Sequence, residues 1–540
     1  MSSSELTRPN AEASASQAND VDVRQESLSV TPTMVDIEHT PVENDPRQWS
    51  PLRKNITLTI VSAGAMIAGL AASIQNPAVR EMEIDLPATS SQFSLSISLF
   101  ILTQGSVPLV WASIGEIKGR KIVYLTSIAI FAASSVAVAV SNSIELVIAF
   151  RVLQAAGSSA VITVGTTTLA DIFDPKERGS KVGIYYMAPL LGPAIGPIFG
   201  GALTTGFNWR AIFWFLTVLS GAILLCFLLF FKDTFRRERS AVYQKAMKRR
   251  MTIVDGSHEV AKKEAANTEP MTRDPKGDSK TNDSSEITFN PKTAKQRDVE
   301  KGSLPASVSS TVKLTLADVD PFRPIGLVLR RINNLLTLAA SGLIFAFCFL
   351  VPYTSARTLS THYGYEALKI GLVTLSFGFG GAAGSLLGGR WSDYQLARLT
   401  KKNAGISQPE MRLRSTIFGI IAVPPVTLGF GWICQKHLHV SVVCVFLFAC
   451  GFLAIWIYAS TLAYIVDANN GRSSSAVATN SLFRGVSAFI AVEVAVPMQD
   501  NLGDGWMYTI WAAIMVVAGA LLLLVLKNGG RWREHADSKS

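Results

Sequence analysis

The sequence predicts an all-α membrane protein with twelve transmembrane helices arranged in two six-helix halves. The first observation is composition, because 49% of the 540 residues are hydrophobic and the mean hydropathy is +0.30. The second is length, because a helix that spans a bilayer needs about 20 mostly apolar residues. The third is a polar segment, 232–334, which divides the apolar stretches into six and six. The twelve predicted spans are 54–78, 93–114, 121–141, 145–169, 181–203, 210–231, 335–356, 370–389, 414–434, 440–465, 476–498 and 506–527.

Lys and Arg are concentrated at one side of the predicted bundle. They occur at 118–121, 175–181, 232–334, 397–403 and 527–534. Because cytoplasmic loops carry the basic excess, this side is predicted to be cytoplasmic, together with both chain termini. The net charge of +10 then follows from topology and from attraction to anionic lipid. The lipid bilayer is therefore an expected partner and a nucleic acid is not.

The two six-helix halves are predicted to comprise residues 53–231 and 335–527. Three segments are expected to lie outside them. Residues 1–52 are rich in Ser, Asn and acidic residues and lack the features of a signal peptide, so a disordered cytoplasmic tail is predicted. Residues 232–334 are predicted to be a cytoplasmic linker, and residues 528–540 a second cytoplasmic tail. The start of the linker, "FRRERSAVYQKAMKRRM", is either a basic helix on the inner leaflet or a solvated charged run.

The sequence contains no motif for covalent chemistry. Its five cysteines fall in or beside predicted spans without a CxxC pair, which is typical of apolar filler residues. Phosphate-binding loops, zinc-ligand spacings and nucleophile motifs are also missing. We therefore expect a protein that is not an enzyme, that binds no metal, and that needs no cofactor other than a proton gradient.

Span 5 has a composition that disfavours an ordinary helix. The stretch "GIYYMAPLLGPAIGPIFGG" (183–201) contains five glycines and three prolines and no charged residue. Gly192, Gly196 and Gly200 lie four residues apart and form a smooth stripe that lets a neighbouring helix approach closely. The prolines repeat at the same interval, and each removes a backbone donor, which predicts a bent or pliable helix. The stripe indicates either a seal that lets the halves rock or plain tight packing.

Three motifs resemble those of the major facilitator superfamily. The loop "GEIKGRK" after span 2 resembles the family's loop signature, with Glu116 in place of the usual Asp. The stretch "RVLQAAGSS" (151–159) resembles the span-4 motif. Other segments resemble fungal quinidine, polyamine and organic-acid exporters, so the chain from about 50 to 530 is similar to the twelve-span drug:proton antiporter family. Span 5 resembles the antiporter motif of that family at Gly183, Gly192, Gly196, Pro197, Gly200 and Gly201.

The resemblance implies the major facilitator fold and export by proton antiport and alternating access. It also implies a gating role for the span-5 motif and a cytoplasmic latch, in which the loop after span 2 meets a charge across the two halves. A basic loop that only sets the topology is the alternative to the latch. The latch candidates are Glu116, Gly119, Arg120, Lys121 and, in the equivalent loop of the second half, Asp393.

Charged residues inside the spans are candidates for proton coupling, because a charge near a helix centre costs about 2.5–3.5 kcal/mol or more in the bilayer. Arg151 in span 4 is expected to face the cavity between the halves. Glu493 in span 11 is the only carboxylate well inside a predicted span, and snorkelling to the interface is its alternative. Asp171, at the end of span 4, is the third candidate, with a hydrated structural role as its alternative. Arg484 in span 11 is a further charge at membrane depth.

The expected cargo cavity is rich in aromatic residues and poor in polar groups. This composition fits an apolar or amphiphilic cargo better than a sugar, which would need more hydrogen-bonding side chains. Lipid-facing or packing positions are the alternative for the aromatic residues. The cavity candidates are Gln75, Asn76, Gln104, Tyr185, Tyr186, Tyr353, Phe377, Trp456 and Asn480.

We therefore expect a monomeric, multi-pass transporter of the plasma membrane that exports an amphiphilic small molecule against an inward flow of protons. The cargo class includes drugs, secreted secondary metabolites and glycolipids. An exporter of organic acids or polyamines is the first alternative. An alternative of another class is a sensor or scaffold that transports nothing and whose linker binds partners.

Overall fold

The regular structure of the chain is helical in a computed structural model that describes residues 42, 44–236, 243, 323–405, 407–469 and 473–537. In this part of the chain, eleven helices are long and apolar enough to cross a membrane. They are α1 Pro51–Ser73, α2 Ser90–Lys118 with a one-residue turn at Val107, α3 Arg120–Ala139, α4 Ile144–Ile172, α5 Pro175–Gly206, α6 Arg210–Phe230, α7 Ile332–Thr361, α8 Ala367–Lys402, α9 Ile417–Gln435, α10 Val440–Ala468 and α11 Ser473–Asp537.

Helix α11 consists of two arms that meet at Gly503. This glycine has a φ of 75° and a ψ of 169°, a backbone conformation that a side chain would make costly. The first arm, 473–502, is about 45 Å long and the second arm, 504–537, is about 51 Å long at 1.5 Å per residue, so each is long enough for one crossing. The predicted spans 11 and 12 correspond to these two arms.

The contacts of the arms show that the chain reverses at Gly503. The first arm runs parallel to α7, since Ser487 contacts Gly342 and Gln499 donates to the carbonyl of Thr354. The second arm runs antiparallel to α9, since Tyr508 contacts Gly431 near the end of α9. Further along this arm, Gly519 contacts Ile420 near the start of α9. The number of spans in a bilayer and the side on which the termini lie remain predictions.

The two halves use the same packing plan. In the first half α1 packs on α5, α2 on α4, and α3 on α6. In the second half α7 packs on the first arm of α11, α8 on α10, and α9 on the second arm. If the two arms of α11 are counted as spans 11 and 12, adding six to each helix number of the first half gives the pairs of the second half. The order of helices is therefore that of two parallel repeats, as expected for halves related by an axis along the membrane normal.

Two pairs of helices join the halves, α5 with α8 and α2 with the first arm of α11. The end of the bundle that carries 118–121, 172–181 and 397–403 is here called the basic face, and the end that carries 206–209 and 362–366 the opposite face. The α5–α8 contacts run from the opposite face towards mid-depth. They comprise a hydrogen bond of 3.3 Å from the Leu368 amide to Thr205 Oγ1 and close backbone approaches of Gly201 to Ala367, Gly371 to Pro197 and Gly378 to Ala194.

Helix α5 fits against α1 because its glycines leave no side chain of α5 where the two helices cross. A Cβ atom at Gly192 would lie 2.5 Å from the Leu70 amide nitrogen, and one at Gly200 would lie 1.8 Å from the Ile74 carbonyl oxygen. The third glycine of the stripe, Gly196, lies against Ser73. The predicted stripe therefore faces α1 within the first half, and a different edge of α5, which includes Gly201, faces α8.

The prolines of α5 do not interrupt the helix, which is continuous through Pro189, Pro193 and Pro197. Each proline leaves the carbonyl four residues earlier without its helical donor. The carbonyl of Pro193, which Pro197 releases, accepts a hydrogen bond of 3.5 Å from Ser73 Oγ. The carbonyl of Pro189, which Pro193 releases, lies against Gly69, one turn before Ser73 on α1. Two carbonyls of α5 that lack a helical donor, one turn apart, therefore both lie against α1.

Three of the long helices extend beyond the two predicted six-helix halves, 53–231 and 335–527. Helix α7 begins at Ile332, inside the predicted linker, and the second arm continues to Asp537, inside the predicted tail 528–540. Helix α1 begins at Pro51, inside the predicted tail 1–52. Hydropathy marks only the part of a helix in hydrocarbon, and polar turns extend the same backbone ladder beyond it. Most of residues 1–52 and of the predicted linker 232–334 lies outside the described residues.

We predict that Gly200→Ala lowers the thermal unfolding temperature of the purified protein in detergent. The added methyl group would overlap the Ile74 carbonyl, and overpacking of this kind costs about 1–3 kcal/mol. Gly221→Ala in α6 is the matched control, because nothing lies within 4 Å of its Cβ position. The packing account is wrong if the two variants unfold at the same temperature.

Candidate functional site

An arginine between two carboxylates joins three helices at the basic face of the first half. Arg120, the first residue of α3, is buried at 4% exposure. Its Nη2 atom lies 2.8 Å from Glu116 Oε1 of α2, and its Nε atom lies 3.3 Å from Asp171 Oδ2 at the end of α4. Three helices are therefore joined through one guanidinium, whose fork geometry suits two carboxylates.

The second half contains the same arrangement at equivalent positions. Arg412, just before α9, donates from Nη1 to Asp393 Oδ1 of α8 at 2.6 Å and also contacts the carboxylate of Asp467 at the end of α10. Adding six to the helix numbers of the first cluster gives the helices of the second. The structure thus places Asp393 where the repeat predicts, opposite an arginine that the sequence analysis did not select.

The segment after α6 lies on the first cluster. Gly119 has a φ of +90° and lies against the Asp233 carboxylate, so a side chain would be strained there and would also overlap Asp233. Asp233 Oδ1 accepts the Arg120 amide at 3.1 Å, and Thr234 Oγ1 donates to Asp171 at 3.2 Å. The remaining latch candidate, Lys121, donates from Nζ to the Leu228 carbonyl of α6.

The described ion pairs of both clusters lie within one half each. Arg120 binds Glu116 and Asp171 of the first half, and Arg412 binds two carboxylates of the second. The latch implied by the resemblance joins the halves in the outward-facing state. The conformation seen here is closed at the opposite face instead, so the clusters brace their own halves and a latch contact across the halves remains a prediction.

Glu493 lies where the halves meet. Its Oε2 atom accepts hydrogen bonds from Ser98 Oγ at 3.0 Å and Ser94 Oγ at 3.4 Å, both on α2. Glu493 itself belongs to the first arm of α11 and is half-buried. A carboxylate that bonds across the halves must lose these partners when the halves separate. This contact therefore helps to close the opposite face. A hydrogen bond of 2.9 Å from Arg80 Nη1 to the Ser360 carbonyl also joins the two halves there.

Arg151 lies inside the first half, whereas it was expected to face the cavity between the halves. The residue is fully buried, and Nη1 donates to the Ala71 carbonyl of α1 at 3.1 Å and to Gln154 Oε1 at 2.7 Å. Its guanidinium carbon lies 4.0 Å from the centre of the Phe100 ring of α2. Sequence spacing places a side chain on a helix but does not determine which neighbours surround that face. The arginine ties α1, α2 and α4 together.

Arg484 has a different environment in the second half. It is half-buried, lies 3.7 Å above the Phe345 ring of α7, and donates from Nη1 to the Tyr458 hydroxyl of α10 at 2.7 Å. Tyr186 of α5 lies within electrostatic range of both Arg484 and Tyr458. The cation thus lies at mid-depth, beside the helix that joins the two halves.

Several predicted cavity residues serve packing instead. The Tyr185 hydroxyl is buried and donates to the carbonyls of Val161 and Ile162, both at 3.0 Å. Gln104 donates to the Ala68 carbonyl at 3.2 Å within the first half. Trp456 donates to the Ser415 carbonyl at 3.0 Å, in an aromatic cluster with exposed Trp391 and Phe418. None of these three side chains projects freely into a cavity in this conformation.

The other cavity candidates are buried or half-buried near the junction of the halves. Gln75 and Asn76 follow the end of α1, and among the described residues Gln75 has no hydrogen-bond partner for its side-chain amide. The Tyr353 hydroxyl and both polar atoms of the Asn480 side chain are likewise buried without a partner in the described part of the chain. Phe377 is half-buried on α8, where its carbonyl approaches Gly451 of α10.

Three residues that complete these contacts were not expected from the sequence: Arg412, Ser98 and Phe345. Arg412 carries a usable signal, because it precedes span 9 as Arg120 precedes span 3. The other two are a serine and an aromatic residue of types common in membrane helices. No sequence pattern separates such residues from ordinary packing positions.

The sequence model of the Major Facilitator Superfamily matches residues 61–492. Quinidine resistance protein 3 of Saccharomyces cerevisiae is 26% identical over 92% of this chain and 85% of its own length. Citrate exporter 1 of Aspergillus niger is 28% identical over 96% and 94%. A crystal structure of a D-xylose–proton symporter superposes with a TM-score of 0.58 at 11% identity, covering 87% of this chain and 97% of that one.

We predict that Arg120→Gln destabilises the protein more than Arg412→Gln. The Arg120 side chain is 5% exposed and Arg412 is 18% exposed, so water screens the carboxylates left behind less well in the first cluster. Removing one partner from a buried ion pair costs about 3–5 kcal/mol. Thermal unfolding of both purified variants in the same detergent measures the difference. Equal unfolding temperatures would contradict the proposed bracing role of the first cluster.

Proposed function

The chain belongs to the Major Facilitator Superfamily, and on this premise we propose that it exports an amphiphilic small molecule by alternating access coupled to proton antiport. Membership confirms the resemblance drawn from the motifs, and the all-helical fold confirms the predicted class. The chain is a multi-pass membrane protein. Its relatives include a quinidine resistance protein and a citrate exporter, which support the assignment as an efflux transporter.

The finer parts of the proposal concern place, partners and chemistry. We infer a monomer in the plasma membrane that catalyses no covalent reaction and uses the proton gradient instead of a bound cofactor. The span-5 motif, similar to that of drug:proton antiporters, supports export over uptake. The names of the relatives include both an alkaloid and an organic acid, so they do not determine the charge of the cargo.

One observation carries the mechanism: two equivalent halves meet through α5–α8 and α2–α11, and the described polar bonds between them lie towards the opposite face. Each half is braced at the basic face by its own cluster. A rocking motion can therefore break the bonds at the opposite face while the halves stay intact. Cargo would enter from the basic face in the present conformation and leave from the opposite face in the alternative one.

Glu493 is placed to link this motion to a proton. When the opposite face is closed, its carboxylate accepts hydrogen bonds from Ser98 and Ser94. When the halves separate there, the carboxylate loses these donors and meets water. A group that alternates between two environments can bind and release a proton once in each cycle.

The export proposal is tested with purified protein in liposomes. An outward proton gradient, with an acidic lumen, imposed on vesicles whose basic face points outward should drive an amphiphilic fluorescent probe into the lumen. Empty liposomes and collapse of the gradient with an ionophore are the controls. Binding of probes without any flux, by gradient or by exchange, would instead favour the sensor or scaffold.

We predict that Gly201→Val abolishes flux while the protein remains folded and in the membrane. A Cβ atom there would lie 2.5 Å from the Ala367 carbonyl and 2.8 Å from Leu368 Cα, so it would hold the halves apart at the opposite face. Gly206→Val is the control, because nothing lies within 4 Å of its Cβ position. Wild-type flux by Gly201→Val would remove the α5–α8 contact from the transport cycle.

We predict that Glu493→Gln removes accumulation driven by a pH gradient but leaves exchange of cargo without a gradient. The amide keeps a hydrogen-bond acceptor for Ser98 and Ser94 but cannot bind and release a proton. Flux with and without a gradient, in the same liposome preparation, measures the two properties. Unchanged accumulation by this variant would eliminate Glu493 as the proton carrier and direct attention to Asp171.

A further inference from the structure

Arg484 is a cation at membrane depth without an anionic partner. It lies 11 residues after Ser473, the start of the first arm, or about 16 Å along the helix axis. Among the described residues no carboxylate forms an ion pair with it, in contrast to Arg120, Arg210, Arg357 and Arg412. Its neighbours are a tyrosine hydroxyl and two aromatic rings. These groups hold the guanidinium in place but leave its charge uncompensated.

Two polar groups at this position, the Arg484 Nε atom and the Asn480 side-chain amide, lack hydrogen-bond partners among the described residues. The Nε atom of Arg484 is buried with no hydrogen-bond acceptor in the described part of the chain. Asn480 lies four residues earlier, so its side chain leaves the same face of the helix one turn away. The Asn480 side chain is fully buried, and neither its Nδ2 nor its Oδ1 atom has a partner among the described residues. Leaving such groups unpaired costs about 1–3 kcal/mol each.

Charge at mid-depth is predominantly positive. The charged side chains well inside predicted spans 4 and 11 are Arg151, Arg484 and Glu493, of which Arg151 and Glu493 lie towards the opposite face. Arg151 is enclosed in the first half, and Glu493 is engaged by two serines. A cationic cargo at mid-depth would therefore meet an unpaired guanidinium, whereas an anionic cargo would meet a complementary charge.

Resting on the proposed export function, we propose that the cargo carries a carboxylate or similar oxyanion, which Arg484 binds through its Nε and Nη2 atoms with Asn480 Nδ2 as a second donor. Phe345 and Tyr458 fix the plane of the guanidinium, so that its fork meets the two oxygens of the anion. Tyr186, contributed by α5 of the other half, provides apolar surface for the rest of the molecule. The cargo is thus an amphiphilic organic anion.

The site lies between elements that move relative to one another. Arg484 and Tyr458 belong to the second half, and Tyr186 belongs to the first. A bound anion would neutralise Arg484 and lower the cost of carrying the cation through the occluded state, where it meets no bulk water. Binding and transport are therefore linked through the same charge.

The test uses three probes with one carbon skeleton, 4-phenylbutyrate, 4-phenylbutylamine and 4-phenylbutanol. Wild-type protein in liposomes is loaded under a proton gradient, and accumulation of each probe is measured by mass spectrometry of the washed vesicles. The variants are Arg484→Gln, Arg484→Lys, Asn480→Ala, and Arg390→Gln, which removes an exposed cation from the basic face as the matched control. Unfolding temperature and protein content are measured for every preparation.

The wild type and Arg390→Gln should accumulate the butyrate in preference to the amine and the alcohol. Arg484→Gln should reduce butyrate accumulation at least tenfold, because a hydrogen bond to a charged group contributes about 1.5–3 kcal/mol. Arg484→Lys should retain the preference for the anion with weaker uptake, and Asn480→Ala should raise the half-saturating butyrate concentration. If Arg484→Gln does not fold, the anion preference of the wild type and the Asn480→Ala shift decide the matter.

The inference is overturned if the wild type prefers the amine or the alcohol, or if Arg484→Gln folds and keeps the anion preference. In either case flux persists and the export proposal stands. If the wild type carries none of the three probes, and none competes with the fluorescent amphiphile that it does carry, the anion site is also rejected. If it carries no amphiphile at all, the export proposal fails.

Discussion

The structure depends on the contact of α5 with two helices at once. On one edge the glycines of α5 meet α1 so closely that a Cβ at Gly200 would lie 1.8 Å from a carbonyl oxygen. On the other edge a Cβ at Gly201 would lie 2.5 Å from the Ala367 carbonyl of α8 in the second half. Helices that meet at glycines approach closely with few side-chain atoms between their backbones, so such a contact can separate without repacking long side chains. The same helix therefore completes one half and forms the junction with the other.

The two edges of α5 assign different tasks to its glycines and prolines. The stripe that faces α1 holds the first half together, and Ser73 and Gly69 of α1 lie against the carbonyls that the prolines release. The edge that faces α8 closes the opposite face, together with Glu493 and Arg80. At the basic face each half has its own arginine between two carboxylates. The halves are thus braced internally at one face and joined to each other at the other, which is the arrangement that rocking requires.

The sequence predicted the helical class and the long apolar helices, because these follow from hydropathy. It also predicted that Asp393 corresponds to Glu116, and the same repeat could have identified Arg412. It did not predict that the glycine stripe faces α1 or that Arg151 is enclosed in the first half. Periodicity defines a face of a helix but not the helix that covers it. The partners of Arg484 and Glu493 come from distant helices, so only the folded chain brings them together.

The central claim is that the opposite face and the basic face open alternately. Double electron–electron resonance spectroscopy, which measures the distance between two spin labels, tests this claim most directly in liposomes. One pair replaces exposed Phe207 and Lys369 at the opposite face, and the other replaces exposed Lys118 and Lys401 at the basic face. The account predicts two distances for each pair, with a proton gradient shifting the populations of the two pairs in opposite directions. A single unchanged distance in both pairs, in a preparation that transports, would contradict it.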